Sequence, residues 1–282
     1  MSERRKNSIA ATPFDAQAAT FDHRVGLPAV CREQVAEAVL AIAKLQAGDL
    51  LVEVGAGTGQ IGAELARSYV RYLGFDISEE MLAVFWRCMQ ADAAAASADN
   101  WTLLQADGNQ RWPVADGSAR AIFSSRAMHL LEPDRVIDES FRVAHPAGAT
   151  LSIGRVQRRP DSIKAILQKQ MQALLAKRGW RGRDGKQAKS QLLTTLRQRG
   201  AAPRAAVVAA RWVVEHSPAR SLESWRSKSG LGGIETIPTA EKEAILTLLA
   251  DWAAEKFGDL ARAIVTEETY VIDSVCLPIT AA

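Results

Sequence analysis

The sequence predicts an α/β fold built on a largely parallel sheet. From residue 50 to 156, short apolar runs alternate with stretches of helical periodicity, the pattern of βαβ units. The first run, Leu50-Leu51-Val52-Glu53-Val54, leads directly into Gly55-Ala56-Gly57-Thr58-Gly59 and then a helical pattern. Acidic residues stand at or just after the ends of three successive strands, as Glu53, Asp76 and Asp107.

Each element follows from local pattern. Residues 33–45 place Val35, Val39, Ile42 and Leu45 on one helical face, with Gly48-Asp49 expected to end that helix. A second strand is expected near 70–75, closed by Asp76, and a helix over 79–89. The alanine-rich residues 91–100 read as a frayed helix end and loop. A third strand falls at 102–105, a fourth at 121–124, and a helix over 133–144 is stopped by Pro146. The fifth strand covers 149–156. Two basic helices follow at 162–178 and 187–199, the first with Ile163, Leu167, Met171 and Leu174 on one face. In 205–215, Val208, Ala210, Trp212 and Val214 alternate as in a strand. Helices are expected at 219–228 and 240–257, the second closed by Gly258, before a last strand at 264–276. The last strands read as completion of the same sheet, so 13–282 is expected to be a single domain behind a disordered tail, 1–12.

Composition removes several classes. The chain has 282 residues, 48% hydrophobic and 24% charged, which suits a globular core. No apolar run reaches the ~18 residues of a membrane-spanning helix. The N-terminal MSERRKNSIAATPFD has no apolar core and does not read as a secretory signal. Cys31, Cys88 and Cys276 are odd in number and form no CxxC, as expected of reduced thiols in a cytoplasmic protein. His23, His129, His145 and His216 show no metal-ligand spacing, so no metal is expected. The net charge of +3 is uneven: residues 151–200 hold thirteen Lys/Arg against two Asp, a local excess of eleven, which leaves −8 on the rest.

The glycine turn allows two readings. Glycines admit positive φ and close approach of a ligand to the main chain, and the following helix offers free N–H groups. Gly57-Thr58-Gly59-Gln60-Ile61-Gly62 fits the dinucleotide pattern GxGxxG, with Asp76 as ribose partner. Gly55-x-Gly57-x-Gly59 behind an acidic residue fits the nucleoside site of class I S-adenosylmethionine-dependent methyltransferases. A carboxylate beside the turn opposes a pyrophosphate and favours a cofactor that carries a sulfonium and an ammonium.

The motifs LVEVGAGTG, YLGFDISEEML, LLQADGNQRWP, AIFSSRAMHLLEP and HPAGATLSIG together resemble that methyltransferase family, in its small-molecule branch related to ubiquinone and menaquinone biosynthesis. The resemblance implies a Rossmann-like, seven-stranded, mostly parallel sheet with an antiparallel last strand and helices on both faces. It implies S-adenosyl-L-methionine as cofactor. Gly55, Ala56, Gly57 and Gly59 would cradle its methionine and ribose, and Asp76 would accept the ribose hydroxyls. Ile77 and Met81 would pack near the adenine, Asp107 and Gly108 would take its amino group, and Ser124 would lie near the cofactor. Glu53 would act through water or the ammonium. The sequence departs from the family where Ser118-Ala119-Arg120 replaces the usual aspartate before the fourth strand.

The acceptor side is sparser. His129, soon after the fourth strand, is the candidate base, and Arg126 a candidate grip on an acceptor carboxylate or phosphate. Residues 13–32 resemble the family's N-terminal lid, with Phe21 and Arg24 covering cofactor and acceptor and His23 as a second candidate base. Residues 157–204 fall where this family inserts acceptor-binding helices, so the basic stretch is expected to be a cap for an anionic acceptor or a membrane surface, a solvated face, or an RNA-binding face. The NPPY-type motif of DNA amino-methyltransferases is absent, no cysteine nucleophile follows the fourth strand, and aromatic interleaving is sparse. A small-molecule acceptor is therefore expected, with O-methylation ahead of C or N. An RNA-modifying methyltransferase, a non-catalytic nucleoside-binding relative and a dehydrogenase are the rival readings. The sequence leaves the oligomeric state open.

Overall fold

The computed structural model describes residues 12, 14–22, 26–182, 185–228, 230–234 and 236–279. The expected tail, apart from Thr12, and the lid residues His23 and Arg24 lie outside the described residues. Within the described residues the chain forms two compact units. Unit one falls within Met1–Val156, Lys186–Ala210 and Tyr270–Ala282, and unit two within Gln157–Gly185 and Arg211–Thr269.

In unit one, strands β1 (Leu50–Val54), β2 (Arg71–Asp76), β3 (Trp101–Gln105), β4 (Ala119–Ser125) and β5 (Ala149–Arg158) pair in the order β3-β2-β1-β4-β5. All four of these pairings are parallel. The sheet continues with β8 (Ile264–Leu277) and β6 (Ala202–Pro203), which pair antiparallel, and β7 (Val207–His216) also pairs with β8. Among the described residues the sheet has eight strands. The strand beyond the expected seven is β6, two residues long and too short to carry a periodicity.

Helices α1 (Ala29–Ala43), α2 (Gly62–Ala66), α3 (Glu79–Gln90), α4 (Ala93–Ser97), α5 (Pro133–Val143) and α7 (Gly185–Gln198) accompany this sheet in sequence. Helix α1 begins four residues before the apolar pattern suggests. Pro28 holds an extended conformation at its N-cap, and Lys44 ends it in the left-handed region at φ 51°, ahead of Gly48. Helix α3 starts where Ser78 Oγ accepts the Met81 N–H. The alanine run forms the short α4, capped by Asp92. The core of unit one includes Val52, Val54, Phe75, Trp112, Ile122 and Leu151.

Unit two contains α6 (Ile163–Lys177), α8 (Pro218–Arg226) and α9 (Thr239–Phe257). Its separate core joins Leu167, Met171 and Leu175 of α6 with Leu222 and Trp225 of α8 and Ile245, Leu246 and Leu249 of α9. The expected basic insertion, 157–204, is thus divided: α6 belongs to unit two, and α7 after its first residue to unit one.

Candidate cofactor site

The site is built in unit one, where β1 stops and α2 has not begun. The N–H groups of Gly55 and Ala56 both donate to the Phe75 carbonyl of β2 at 3.0 Å, which folds the turn back toward that strand. Gly57 N donates to Asp76 Oδ2 at 2.9 Å, and Ser78 N donates to Oδ1 at the same distance. Each Asp76 oxygen keeps a further lone pair, enough for two hydroxyl donors. Burial pushes the Asp76 carboxyl above its ordinary range, against three backbone N–H groups that favour its ionised form.

Two glycines of the turn have different physical reasons. At Gly59, a β-carbon would lie 2.3 Å from the Phe85 ring of α3, with φ +79°. At Gly57, φ is +55°, but a β-carbon would meet nothing within 4 Å. Gly59 is therefore required by packing, whereas Gly57 fronts open space, as a ligand cradle does.

Glu53 sits behind the turn. It is 2% exposed, and its Oε2 accepts from the Tyr72 hydroxyl at 2.5 Å. Burial, outweighing that hydrogen bond, pushes its carboxyl up to about 8; Asp76 raises it further and Arg126 lowers it. A cation brought close to Glu53 would restore its charge.

Beyond β3, Asp107 Oδ1 accepts from Asn109 N at 2.9 Å, and the Gly108 carbonyl accepts from the Trp112 indole at 3.0 Å. Half-buried Ile77 fixes Gln105 through its carbonyl, and Met81 is buried beside them in sequence. Ser124 is fully buried, and its hydroxyl donates to the Val54 carbonyl at 2.8 Å, tying β4 to β1. The Ser124 hydroxyl is thus engaged inside the sheet.

Arg126 follows β4 at φ +60°, an uncommon conformation for a residue with a side chain. Its Nη2 donates to Gln60 Oε1 at 3.2 Å, and its guanidinium lies 6.0 Å from the centre of the Phe21 ring. His129 is exposed on the 3₁₀ turn Met128–Leu130 that follows. Sequence reasoning missed the residues that bind the N-terminal segment to the turn. Asp22 Oδ1 accepts from Thr58 Oγ1 at 2.6 Å and from Gln60 Nε2 at 2.7 Å, and Gln60 Oε1 accepts from Leu27 N at 3.0 Å. Thr58 and Gln60 are the polar residues interleaved with and following the glycines, which was the available signal. No group of residues that could hold a metal ion occurs among the described residues. No described helix is long and apolar enough to cross a membrane.

With this geometry in place, the chain was compared with known proteins. Residues 51–148 match the model of the family described as "Methyltransferase domain". Over that stretch the chain is similar to a methyltransferase domain. The domain match covers the glycine turn, Asp76, Asp107 and His129. A demethylmenaquinone methyltransferase of Clavibacter sepedonicus is 29% identical over 51% of this chain and 57% of its own length. A malonyl-(acyl-carrier protein) O-methyltransferase of Marinomonas sp. is 32% identical over 55% of each chain. The chain thus spans little more than half the length of the curated relatives it matches. Among solved structures, the (4+2)-cyclase SpnF superposes with a TM-score of 0.56 at 17% identity, covering 94% of both chains. That likeness concerns the fold alone.

Proposed function

We propose that this chain is an S-adenosylmethionine-dependent methyltransferase acting on a small-molecule acceptor, with oxygen ahead of carbon or nitrogen as the methylated atom. The observation that carries the reading is the glycine turn hydrogen-bonded to Asp76, with Gly57 facing open space. These residues suit the cofactor. Asp76 has lone pairs left for both ribose hydroxyls, Ile77 and Met81 offer apolar surface for adenine, and Asp107 with Gly108 offers polar groups for its edge. Glu53 is a buried carboxyl that gains by facing a cation, through water or directly. Ser124 contributes by holding β4 to β1. The name of the Marinomonas relative supports oxygen as the acceptor atom.

When bound, the cofactor would supply a methyl group activated by its sulfonium for transfer to an acceptor atom. The chain's own residues then have two tasks. The turn and Asp76 fix the cofactor's orientation, and positioning of this kind supplies much of the rate when the donor is already activated. His129 takes the proton from an acceptor hydroxyl, and Arg126 with Phe21 orients the acceptor, favouring an anionic one. We place the protein in the cytoplasm, on its three dispersed thiols.

The fold alone decides no activity, since a cyclase shares it. The test is to incubate the full chain with S-adenosylmethionine and a broad panel of hydroxylated, aminated and acidic acceptors and to measure S-adenosylhomocysteine. Turnover with a small acceptor is expected. Cofactor binding by calorimetry with no turnover on any acceptor would leave a nucleoside-binding protein in its place.

A further inference from the structure

The loop that joins β3 to β4 in unit one is held by an ion pair from α5. Glu139 is buried on that helix, and Arg142 grips both its oxygens: Nε donates to Oε1 at 2.9 Å and Nη2 donates to Oε2. Oε2 also accepts from Trp112 N at 2.7 Å. Arg142 donates further to the Trp112 carbonyl at 3.2 Å and to the Val114 carbonyl at 2.8 Å. Burial opposes the Glu139 charge, but the Arg142 guanidinium and the Trp112 N–H outweigh it and hold the carboxyl below its ordinary range. The pair is therefore charged at neutral pH, and its hydrogen bonds fix the backbone on both sides of the Trp112 side chain.

Trp112 carries that constraint to the adenine end of the site. Its indole N–H donates to the Gly108 carbonyl at 3.0 Å. Its ring packs on Phe75, centroids 5.8 Å apart, directly before Asp76 in β2. On the other side Asn109 Oδ1 accepts from Glu132 N at 2.7 Å, and a β-carbon at Gly108 would lie 2.8 Å from the Leu131 side chain. The Asp107–Gly108 turn is thus clamped from α5 and from the segment before it. Gly108 is buried, yet among the described residues its N–H has no hydrogen-bond partner. Asp107 Oδ1 accepts from Asn109 N, and Oδ2 has no partner among the described residues. A buried donor and a neighbouring carboxylate oxygen, both open, point to a ligand that completes them. Adenine does so, with an acceptor at N1 beside an amino donor. Hypoxanthine reverses both, with N–H at N1 beside a carbonyl oxygen.

We propose that Trp112, fixed by the Glu139–Arg142 pair, is the positioning residue for base selectivity in this site: its indole sets the Gly108 peptide so that the Gly108 N–H and Asp107 Oδ2 match the edge of adenine. The inference rests on the cofactor reading and goes beyond it, because it assigns the selectivity to side chains that act through the Gly108 backbone.

The experiment is calorimetric titration of the full chain with S-adenosylhomocysteine, with its inosine analogue and with its 2′-deoxy analogue. Wild type is expected to prefer the adenine ligand to the inosine one by about thirtyfold or more, because the reversed edge leaves buried polar groups unpaired. Trp112→Phe keeps an aromatic ring and loses the indole donor, and Glu139→Gln keeps the shape and loses the charge. Each should cut that preference by about tenfold while leaving the preference for ribose over deoxyribose, which Asp76 reads, unchanged. Arg111→Gln, an exposed neighbour whose ion pair is with Asp116, should leave both preferences as they are. Where Trp112→Phe loses its circular dichroism, Glu139→Gln decides the matter. A Trp112 that only fills the core would lower unfolding stability and leave the base preference intact, and that result would overturn the proposal. An equal fall in both preferences would overturn it too. Failure of wild type to bind S-adenosylhomocysteine at all would instead remove the cofactor reading, and this inference with it.

Discussion

The glycine-turn site of unit one and the basic group of unit two are electrostatic opposites made by the same cause. In the first, burial raises the carboxyls of Glu53 and Asp76. In the second, burial lowers the cationic groups of Lys164 and His216. In both, like charges nearby add to the cost. A cationic cofactor bound at the proposed site would offset the first shift. Burial thus moves acids and bases in opposite directions, each toward its neutral form.

The largest expected effect is at Asp76. Asp76→Ala removes both ribose acceptors and the anchor for Gly57 N, and S-adenosylmethionine affinity should fall by about a hundredfold or more, ~3 kcal/mol. Unchanged affinity by calorimetry would break the assignment of the turn. Next come the glycines. Gly59→Ala drives a β-carbon into the Phe85 ring and should lower unfolding stability by ~2–4 kcal/mol. Gly57→Ala meets open space and should cost only ~1–2 kcal/mol of stability through its positive φ while impairing cofactor binding. Chemical denaturation of the two variants checks that order.

The opposition also has a pH signature. A cation lowers the Glu53 carboxyl from about 8, so its binding releases a proton, and cofactor affinity should rise as pH climbs from 7 toward 9. Glu53→Gln should flatten that profile. In His129→Ala, turnover should drop by about tenfold or more with cofactor affinity unchanged, and wild-type turnover would remove His129 as base. The smallest effect belongs to Ser124→Ala, which should cost about 1 kcal/mol of stability and leave cofactor affinity within twofold.

The sheet order's raw material was legible because its strands announce themselves locally, as apolar runs separated by helical periodicity. The two-residue β6 was not, and neither was the left-handed stop at Lys44, which no residue preference signals. The turn and Asp76 were legible because glycine spacing is local. The contact of Asp22 with Thr58 was not, because it joins residues 36 apart. Ser124, expected just after the fourth strand, lies inside β4, and its hydroxyl donates to the Val54 carbonyl. Part of the charge excess of 151–200 is paired across the chain. Arg155 and Lys189 both meet Asp273, Arg178 meets Glu241, and Arg199 meets Asp138. A local tally cannot see partners supplied from distant sequence. The pairing of Arg158 with Glu268 was invisible for the same reason, since the two are 110 residues apart.

The central claim is that the acid-flanked glycine turn holds a cationic nucleoside rather than a dinucleotide. Calorimetric titration of the full chain with S-adenosylmethionine and, separately, with NADH tests it directly. The account requires saturable S-adenosylmethionine binding that Asp76→Ala removes, and no NADH binding. Tight NADH binding without S-adenosylmethionine binding would contradict it.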